Sequence, residues 1–377
     1  MKIYHVTHTY YPNFGGLENV VNKLATAQAM LGHDVHIIAP KIRSKHPPYV
    51  NYERNVIRVR YIKIGYSDLS FPLEDAVEKA KDADILHAHS HSAYFNISML
   101  KKAKRSNLKT ALYYMAVDSL SDHPNFFIRH LGFLYAKRLT KVSFKYADLK
   151  LARSKRDIRV LRENYGIENV YYLPDAIDKS VKTMPSREEE FRKRFNIYNE
   201  NLFVFIGRMH YLKGIEVLLR SIPYVAKEVK DFKVLFIGPG NNRRYVKLAK
   251  KLGIERYVEF LGFLSEELKY GAIDSSIALV LPSLSGYVEV YSVVTSEAWA
   301  RKKPVIVSSV GELPYRVKNM ENGILVEPRE PKALGDAMLA LIQDKPLGRK
   351  LGINGFKEVR TWDEIASGSI KLYNNLD

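Results

Sequence analysis

The sequence has no cysteine among its 377 residues. Disulfide bonds, thiolate zinc sites and cysteine nucleophiles are therefore excluded. It also has no low-complexity tract, no short repeat, and no apolar run close to the roughly 18 residues that a membrane-spanning helix needs. The remaining composition is that of a globular protein with 46% hydrophobic residues, and the chain length favours two domains.

Acidic residues are scarce relative to basic ones. The chain carries 59 Lys or Arg against 41 Asp or Glu, a net charge of +18, and residues 101–165 hold 16 basic and five acidic side chains. This imbalance favours an anionic partner such as a nucleotide, a nucleic acid or an anionic lipid surface. The charged surface of a heat-stable protein is the alternative explanation. Residues 1–6 predict a strand rather than a signal peptide, so we expect a cytoplasmic protein, free or peripheral on the cytosolic membrane face.

Short β-rich segments alternate with helical patterns in two successive series. The first predicts strands at residues 3–8, 35–39, 56–62, 85–88, 110–114 and 149–152, and the second at 202–206, 234–237, 258–261, 277–281, 305–307 and 324–326. This βαβ order predicts an α/β fold with two Rossmann-like, doubly wound parallel sheets in tandem, with a hinge near residues 174–180. Ligands of such sheets bind beyond the carboxyl ends of the strands, so we expect an interdomain cleft.

Two cations follow the first strand of the second series. Gly207 and Arg208 come directly after residues 202–206, and Lys213 lies five positions beyond Arg208. An arginine can bind phosphate oxygens with two parallel hydrogen bonds, and a lysine acts as a mobile point charge. Arg208 and Lys213 could instead be solvated surface cations, but their position at a strand's carboxyl end favours binding of a diphosphate.

Two carboxylates accompany a helix that is predicted over residues 290–301. Glu289 precedes this helix and Glu297 lies two turns inside it, so we expect both side chains on roughly one face. Carboxylates can bind sugar hydroxyls, and the backbone N–H groups of Ser292 and Val293 can bind an anion or a hydroxyl. A solvated helix also carries such a pair by chance, but the apolar neighbours of Glu297 mean that its carboxylate needs a partner.

Gly15 and Gly16 join the first predicted strand to the first helix. Paired glycines permit positive φ and close backbone approach, and the helix behind them offers N–H groups to an anion. A tight turn explains them equally well. The segment is not a G-x-G-x-x-G fingerprint, so it does not indicate a nicotinamide cofactor.

Three alternating histidines, His87, His89 and His91, follow Ile85 and Leu86 at the end of a predicted strand. No acidic ligand lies near them in sequence, so we predict no metal site. We expect them instead at a polar edge of the cleft.

Residues 124–147 predict one amphipathic helix. Its core face comprises Phe127, Leu131, Tyr135, Leu139, Val142 and Tyr146. A basic arc beside that face comprises Lys137, Arg138, Lys141 and Lys145, and an aromatic arc comprises Phe126, Phe133 and Phe144. Such a helix suits docking on an anionic membrane surface through residues 101–162, and packing of the phenylalanines on a neighbouring helix is the alternative.

Taken together, these segments resemble a family-four retaining glycosyltransferase of the GT-B fold (glycosyl transferases group 1). The motifs that carry the resemblance are YPNFGGLENVVNKLA, GHDVHIIAP, DILHAHS, LPDAID, FIGRMHYLKG, VEFLGFLSEEL, LPS with E-x7-E, ARKKPVIVSSVGELP, NGILVEP and the final helix with Trp362. They span almost the whole chain in order. The family implies an acceptor domain at residues 1–178, a nucleotide-sugar domain at 179–356, and a segment 357–377 whose helix crosses back to the first domain.

By position, the resemblance implies a role for each candidate residue in binding a nucleotide diphosphate sugar. Arg208 and Lys213 would hold the diphosphate, Glu289 the sugar and Glu297 the ribose. The other donor contacts would come from Gly15, Gly16, Gly207, Gly262, Phe263, Ser292 and Val293. The family implies no cofactor and no metal, and the expected acceptor is a sugar, a glycolipid or a lipid-linked molecule rather than a nucleic acid.

The sequence departs from the family's pattern at four places. The family commonly has a His after the fifth strand, where residues 112–116 read LYYMA. Its usual Asn-Gly after the hinge proline is Asp175-Ala176, and Ser292 and Glu312 replace two of its glycines. The alternatives to a transferase are therefore another GT-B sugar-nucleotide enzyme, an epimerase or a phosphorylase, and a catalytically weak sugar-nucleotide-binding protein.

Overall fold

The computed structural model describes residues 1–13, 15–41, 55–64, 68–73, 77–198 and 201–376. The chain divides into two compact units, one formed by Met1–Asp175 with Thr361–Asp377 and the other by Ala176–Arg360. Each unit has its own parallel sheet and its own buried core. The α/β fold with two doubly wound parallel sheets is thereby confirmed. Within the described ranges, no helix is both long enough and apolar enough to cross a membrane.

The first unit is built on a seven-stranded parallel sheet. Its strands are β1 (Lys2–Thr7), β2 (Asp34–Pro40), β3 (Val56–Val59), β6 (Ile85–His89), β7 (Thr110–Tyr114), β8 (Leu149–Ala152) and β9 (Val170–Tyr172), while β4 (Tyr61–Lys63) and β5 (Ser70–Pro72) form a separate antiparallel pair. The order in the sheet is β3-β2-β1-β6-β7-β8-β9. The helices are α1 (Gly16–Met30), α2 (Tyr94–Arg105), α3 (Phe133–Ser143), α4 (Lys155–Tyr165) and α14 (Trp362–Asn374).

The second unit is built on a six-stranded parallel sheet. Its strands are β10 (Asn201–Ile206), β11 (Phe232–Ile237), β12 (Val258–Gly262), β13 (Ala278–Leu281), β14 (Val305–Ser308) and β15 (Ile324–Val326), in the order β12-β11-β10-β13-β14-β15. The helices are α5 (Lys179–Thr183), α6 (Glu188–Phe195), α7 (Ile215–Glu228), α8 (Arg243–Leu252), α9 (Glu266–Ser275), α10 (Val293–Ala300), α11 (Leu313–Arg316), α12 (Pro331–Gln343) and α13 (Lys345–Glu358). Its central strands are continuous apolar runs because both faces of the sheet are covered.

The C-terminal helix α14 packs against α1 of the first unit. Gln28 on α1 donates hydrogen bonds to the hydroxyl of Ser369, at 2.9 Å, and to that of Tyr373, at 3.3 Å. A capping box between Thr361 and Glu364 fixes the start of α14. The prediction that the final helix returns to the first domain is confirmed.

The helix predicted over residues 124–147 is interrupted. A π-helical segment, Ile128–Gly132, precedes α3, and a 3-10 turn, Phe144–Tyr146, follows it. Because a π-turn contains more residues than an α-turn, the angular position of side chains shifts across the segment. Phe127 and Leu131 are consequently 70% and 66% exposed, so their assignment to the core face is wrong.

Candidate functional site

The strand order of the second sheet reverses between the neighbouring strands β10 and β13. In open parallel sheets this reversal leaves room for a ligand at the carboxyl ends of the two strands. The loop after β10 carries Arg208 and Lys213, and the loop after β13 carries Glu289. The fold therefore brings three of the predicted site residues to the position where such sheets bind ligands.

Lys213 and Glu289 form a largely buried ion pair. The ammonium nitrogen of Lys213 lies 2.6 Å from Oε1 of Glu289 and also donates to the carbonyl of Val288 at 3.1 Å. The hydroxyl of Ser283 donates to the same Oε1 at 2.6 Å. Within the described part of the chain, Oε2 of Glu289 accepts no hydrogen bond, so it is free to accept one from a ligand.

Arg208 is exposed, and its side chain forms no hydrogen bond or ion pair with another residue that the structure describes. The positive charge of Arg208 affects the neighbouring His210. The pKa of His210 is lowered mainly by burial, and further by the charges of Arg208, Arg244 and Lys213. Arg244 is paired with Glu216. An anion at the carboxyl end of β10 would therefore meet Arg208 without first breaking an ion pair.

Two glycines allow the backbone to close around this ion pair. Gly214 has φ +71°, and a Cβ there would lie 1.7 Å from the carbonyl oxygen of Pro282. Gly311 has φ +58°, and a Cβ there would lie 2.3 Å from the carbonyl oxygen of Glu289. The amide of Glu312 donates to that same oxygen at 2.9 Å. No side chain larger than hydrogen fits at either glycine without moving the backbone.

Glu297 has different partners from Glu289. It lies one turn inside α10, where Oε1 is 2.8 Å from the ammonium of Lys269 and 3.4 Å from the hydroxyl of Tyr270. Burial alone would lower the pKa of Lys269, but the charges of Glu297 and Glu266 and the hydrogen bonds to them together outweigh it, and the pKa is raised. Glu289 is not helical, because a 3-10 turn, Gly286–Val288, precedes it and α10 begins only at Val293. The expectation that the two carboxylates share one helix face is therefore wrong.

The turn at Ser292 is held by Arg316, which the sequence did not identify. Ser292 has φ +68°, and Arg316 donates to its carbonyl at 2.8 Å and to that of Tyr291 at 2.6 Å. Ser292 makes no side-chain cap on α10, and the first N–H groups of a helix lack acceptors within it. In the part of the chain that the structure describes, the N–H of Val293 has no acceptor, and its binding of a polar ligand stays a prediction.

The loops after β10, β11 and β12 are joined through their backbones. The amide of Gly207 donates to the carbonyl of Ile237 at 2.9 Å, and the amide of Gly238 donates to that of Gly262 at 2.7 Å. Phe263, directly after β12, is 79% exposed. Its ring has an open face on which a planar group can stack.

Gly15 and Gly16 belong to the first unit, and their conformation differs from the expectation. Gly15 is extended, with φ −162°, and neither glycine has a positive φ. A Cβ on Gly15 would instead lie 2.5 Å from Oε2 of Glu18, whose Oε1 accepts a hydrogen bond from Thr9 at 2.6 Å. The amino end of α1 therefore already faces a carboxylate of its own.

The predicted histidines are buried and do not form a polar edge. His87 and His89 point from β6 to one face of the sheet, together with His5 of β1, and all three are fully buried. Nδ1 of His5 lies 2.8 Å from Nε2 of His89, and Nδ1 of His87 lies 2.7 Å from the hydroxyl of Tyr373. The ring nitrogens come within 4.8 Å of one another. No described carboxylate joins the group, so a dication would lack an anionic partner, and the absence of a metal stays our prediction.

Comparisons with known proteins identify the family of both units. The family model described as glycosyl transferases group 1 matches residues 186–358, and that described as glycosyltransferase family 4 matches residues 14–181. An uncharacterized glycosyltransferase of Methanocaldococcus jannaschii is 27% identical, with 99% of this chain and 98% of that protein aligned. The O-antigen chain mannosyltransferase C of Escherichia coli is 26% identical, with 100% and 99% aligned. Among solved structures, the Anabaena protein HepE in complex with UDP superposes with a TM-score of 0.79 at 17% identity, covering 100% of both chains.

Proposed function

We propose that this chain transfers a hexose-type sugar from a nucleotide diphosphate sugar to an acceptor, with retention of configuration. The chain belongs to the group 1 glycosyltransferases of the GT-B fold. The observation that carries the proposal is the Lys213–Glu289 pair beside the unpaired Arg208, at the strand reversal of the second sheet. Two cations suit a diphosphate, and a carboxylate with one free oxygen suits a sugar hydroxyl. HepE, with the same fold, binds UDP and UDP-glucose, which supports a donor of this class.

Each candidate residue has a role in this proposal. Arg208 and Lys213 hold the donor diphosphate, and Glu289 accepts a hydrogen bond from the sugar through Oε2. Glu297 holds the ribose hydroxyls. Further donor contacts come from the backbone of Ser292 and Val293, from the stacking surface of Phe263, and from the glycines Gly15, Gly16, Gly207 and Gly262.

The proposed chemistry needs neither metal nor cofactor. The bond between the anomeric carbon and the diphosphate oxygen breaks, and a bond to the acceptor oxygen forms on the same face as the acceptor hydroxyl passes its proton to the departing diphosphate oxygen. Negative charge grows on the departing diphosphate in the transition state. Arg208, Lys213 and the N–H groups at the start of α10 would stabilise it, and fixed donors of this kind often contribute more to catalysis than any other effect.

A thermal-shift panel tests the donor site. UDP-, GDP- and ADP-sugars are each added to the protein, because a ligand at 100 times its dissociation constant stabilises a protein by about 2.7 kcal/mol. We expect one nucleotide family to raise the melting temperature and Arg208→Ala to remove most of that rise. Arg220→Ala, on α7 of the same unit, is the matched control. An unchanged shift in Arg208→Ala would remove the diphosphate role from Arg208.

A product assay tests the reaction itself. A transferase releases nucleoside diphosphate only when acceptor is present, whereas the reaction of an epimerase does not depend on an acceptor. Tight nucleotide binding without turnover over many acceptors would favour the catalytically weak binding protein instead.

We further propose a lipid-linked or membrane-near acceptor and a peripheral position on the cytosolic membrane face. The support is the basic segment 101–162, in which Arg138, Lys141 and Lys145 are exposed, together with the exposed rings of Phe126 and Phe144. Aromatic and basic side chains together are typical of helices that lie at a membrane interface.

A further inference from the structure

An apolar pocket opens in the first unit, and none of its lining residues is assigned above to the donor. It has a volume of about 260 Å³ and lies between the π-helical segment, the 3-10 turn Ser119–Asp122 and residues 68–69. Most of its wall is aliphatic or aromatic and comes from Leu69, Leu120, Phe127, Ile128, Leu131 and Tyr135. At roughly 30 Å³ for each water molecule the space equals that of about nine waters, yet its lining offers them few hydrogen-bond partners.

The rim of the pocket is exposed hydrocarbon. Phe127 and Leu131 line the pocket and remain largely in contact with solvent. A patch of this kind on a folded protein commonly marks a binding surface. Beyond the rim the same helix becomes basic, with Arg138 and Lys141 exposed on α3. The surface thus favours a ligand that combines hydrocarbon with negative charge.

One end of the pocket meets the polar edge of the first sheet. Asp68 is part of the lining, and its carboxylate lies 3.2 Å from Nε2 of His8 and accepts a hydrogen bond from Ser92 at 2.6 Å. His8 follows β1 and Ser92 follows β6, and the order of the first sheet reverses between these strands. This reversal is where a parallel sheet offers space to a polar ligand. Hydrocarbon and polar binding surfaces therefore adjoin.

We propose that this pocket binds the hydrocarbon chain of an anionic lipid-linked acceptor. The negative charge of the acceptor faces Arg138 and Lys141, and its sugar hydroxyls face the edge formed by His8, Asp68 and Ser92. The pocket is a binding site by its own geometry, and only its link to sugar transfer rests on the proposed function. Affinity should rise about fourfold for each methylene that enters the pocket, and stop rising when the pocket is full.

Equilibrium dialysis of alkyl phosphates, below their micelle concentrations and without nucleotide, tests the pocket. Decyl phosphate should bind the full chain more than tenfold more tightly than octyl phosphate, and more tightly than decyl trimethylammonium. Leu131→Ser should weaken decyl phosphate binding at least tenfold. Leu134→Ser is the matched control, because Leu134 is 61% exposed on the same helix but does not line the pocket. Ala136→Phe, which fills the pocket from its wall, should abolish binding while the melting temperature stays near that of the parent.

Several outcomes would overturn the proposal. Absence of alkyl phosphate binding would do so, as would equal losses in the two Leu variants, which would indicate adsorption to the helix surface. If saturating decyl phosphate displaces the protein from anionic vesicles, the pocket holds a bilayer lipid and the acceptor assignment is wrong. If decyl phosphate binds but no acceptor elicits nucleoside diphosphate release, the pocket stands and the transferase proposal fails. Equal turnover of short- and long-chain acceptors would support the transferase proposal but would contradict a role of the pocket in acceptor binding.

Discussion

The ammonium nitrogen of Lys213 lies 2.6 Å from Oε1 of Glu289, a carboxylate that is only 1% exposed. The two residues are 76 positions apart and come from the loops after β10 and β13. A buried carboxylate that loses its cation keeps the full cost of desolvation. Loss of Lys213 should therefore cost stability as well as the proposed chemistry, whereas loss of the exposed Arg208 should affect only that chemistry.

Lys213→Met should lower the free energy of unfolding by about 3–5 kcal/mol, because it leaves Glu289 buried and unpaired. Arg208→Ala should change it by less than about 0.5 kcal/mol, as is usual for an exposed side chain, while lowering the transfer rate by roughly 10²–10³. Denaturant unfolding and steady-state kinetics on both variants make the comparison. Equal stability losses would contradict it.

Glu289→Gln should lower kcat more than it raises the nucleotide-sugar Kd, while Glu297→Ala should weaken nucleotide binding as well. Contacts that strengthen in the transition state affect kcat, and contacts that are the same throughout affect KM. Glu289 is assigned to the reacting sugar and Glu297 to the unreactive ribose. Identical kinetic profiles for the two variants would end this division of roles.

The strands of both sheets were predictable because parallel strands buried on both faces are continuous apolar runs. The exceptions have physical reasons. The strand β9 is only three residues long, with two of them exposed, so it lacks an apolar pattern. The segment predicted as one strand at residues 56–62 divides at Arg60 into β3 and β4, which belong to different sheets.

The site was predictable only in part. Arg208 and Lys213 could be chosen because they follow a predicted strand, and Glu289 because it precedes a predicted helix that contains a second carboxylate, Glu297. The contact of Lys213 with Glu289 and the hydrogen bond from Ser283 depend on how distant loops fold, which local patterns do not encode. Arg316 gave one weak signal: it is an arginine that follows Gly311 and Pro314 closely in the sequence.

Gly311→Ala should lower activity and stability by more than the strain of an alanine at φ +58° alone explains. The added Cβ would lie 2.3 Å from the carbonyl oxygen of Glu289 and would displace that residue. Gly253→Ala is the matched control, since Gly253 has φ +66° with open space around it and should cost only the left-handed strain of about 1–2 kcal/mol. The melting temperatures and kcat values of the Gly311→Ala and Gly253→Ala variants test this difference. Similar losses would show that Gly311 is required only for its φ.

Stability should fall as the pH is lowered from 7 to 5. Burial lowers the pKa of His5 and of His91 to about 4, and that of His87 and His89 well below its usual value. The unfolded chain takes up these protons near pH 6.5 and the native chain does not, so each group costs about 2 kcal/mol of stability at pH 5. Melting temperatures between pH 5 and pH 8 measure the effect. His91→Phe should make the dependence shallower, and a flat profile in the parent would contradict the prediction.

Anionic vesicles should bind the protein at low salt and release it at high salt, because exposed basic side chains are each worth about 1 kcal/mol against an acidic leaflet and are screened by ions. Replacing Lys137, Lys141 and Lys145 with Glu should abolish co-sedimentation. The matched control makes the same charge change at three exposed positions of α8 in the second unit, Lys247, Lys250 and Lys251. It should retain binding, because docking is assigned to the first unit. Equal losses in both variants would indicate attraction of the whole cationic chain to the membrane, and no binding by the parent would assign the charge to solubility or heat stability.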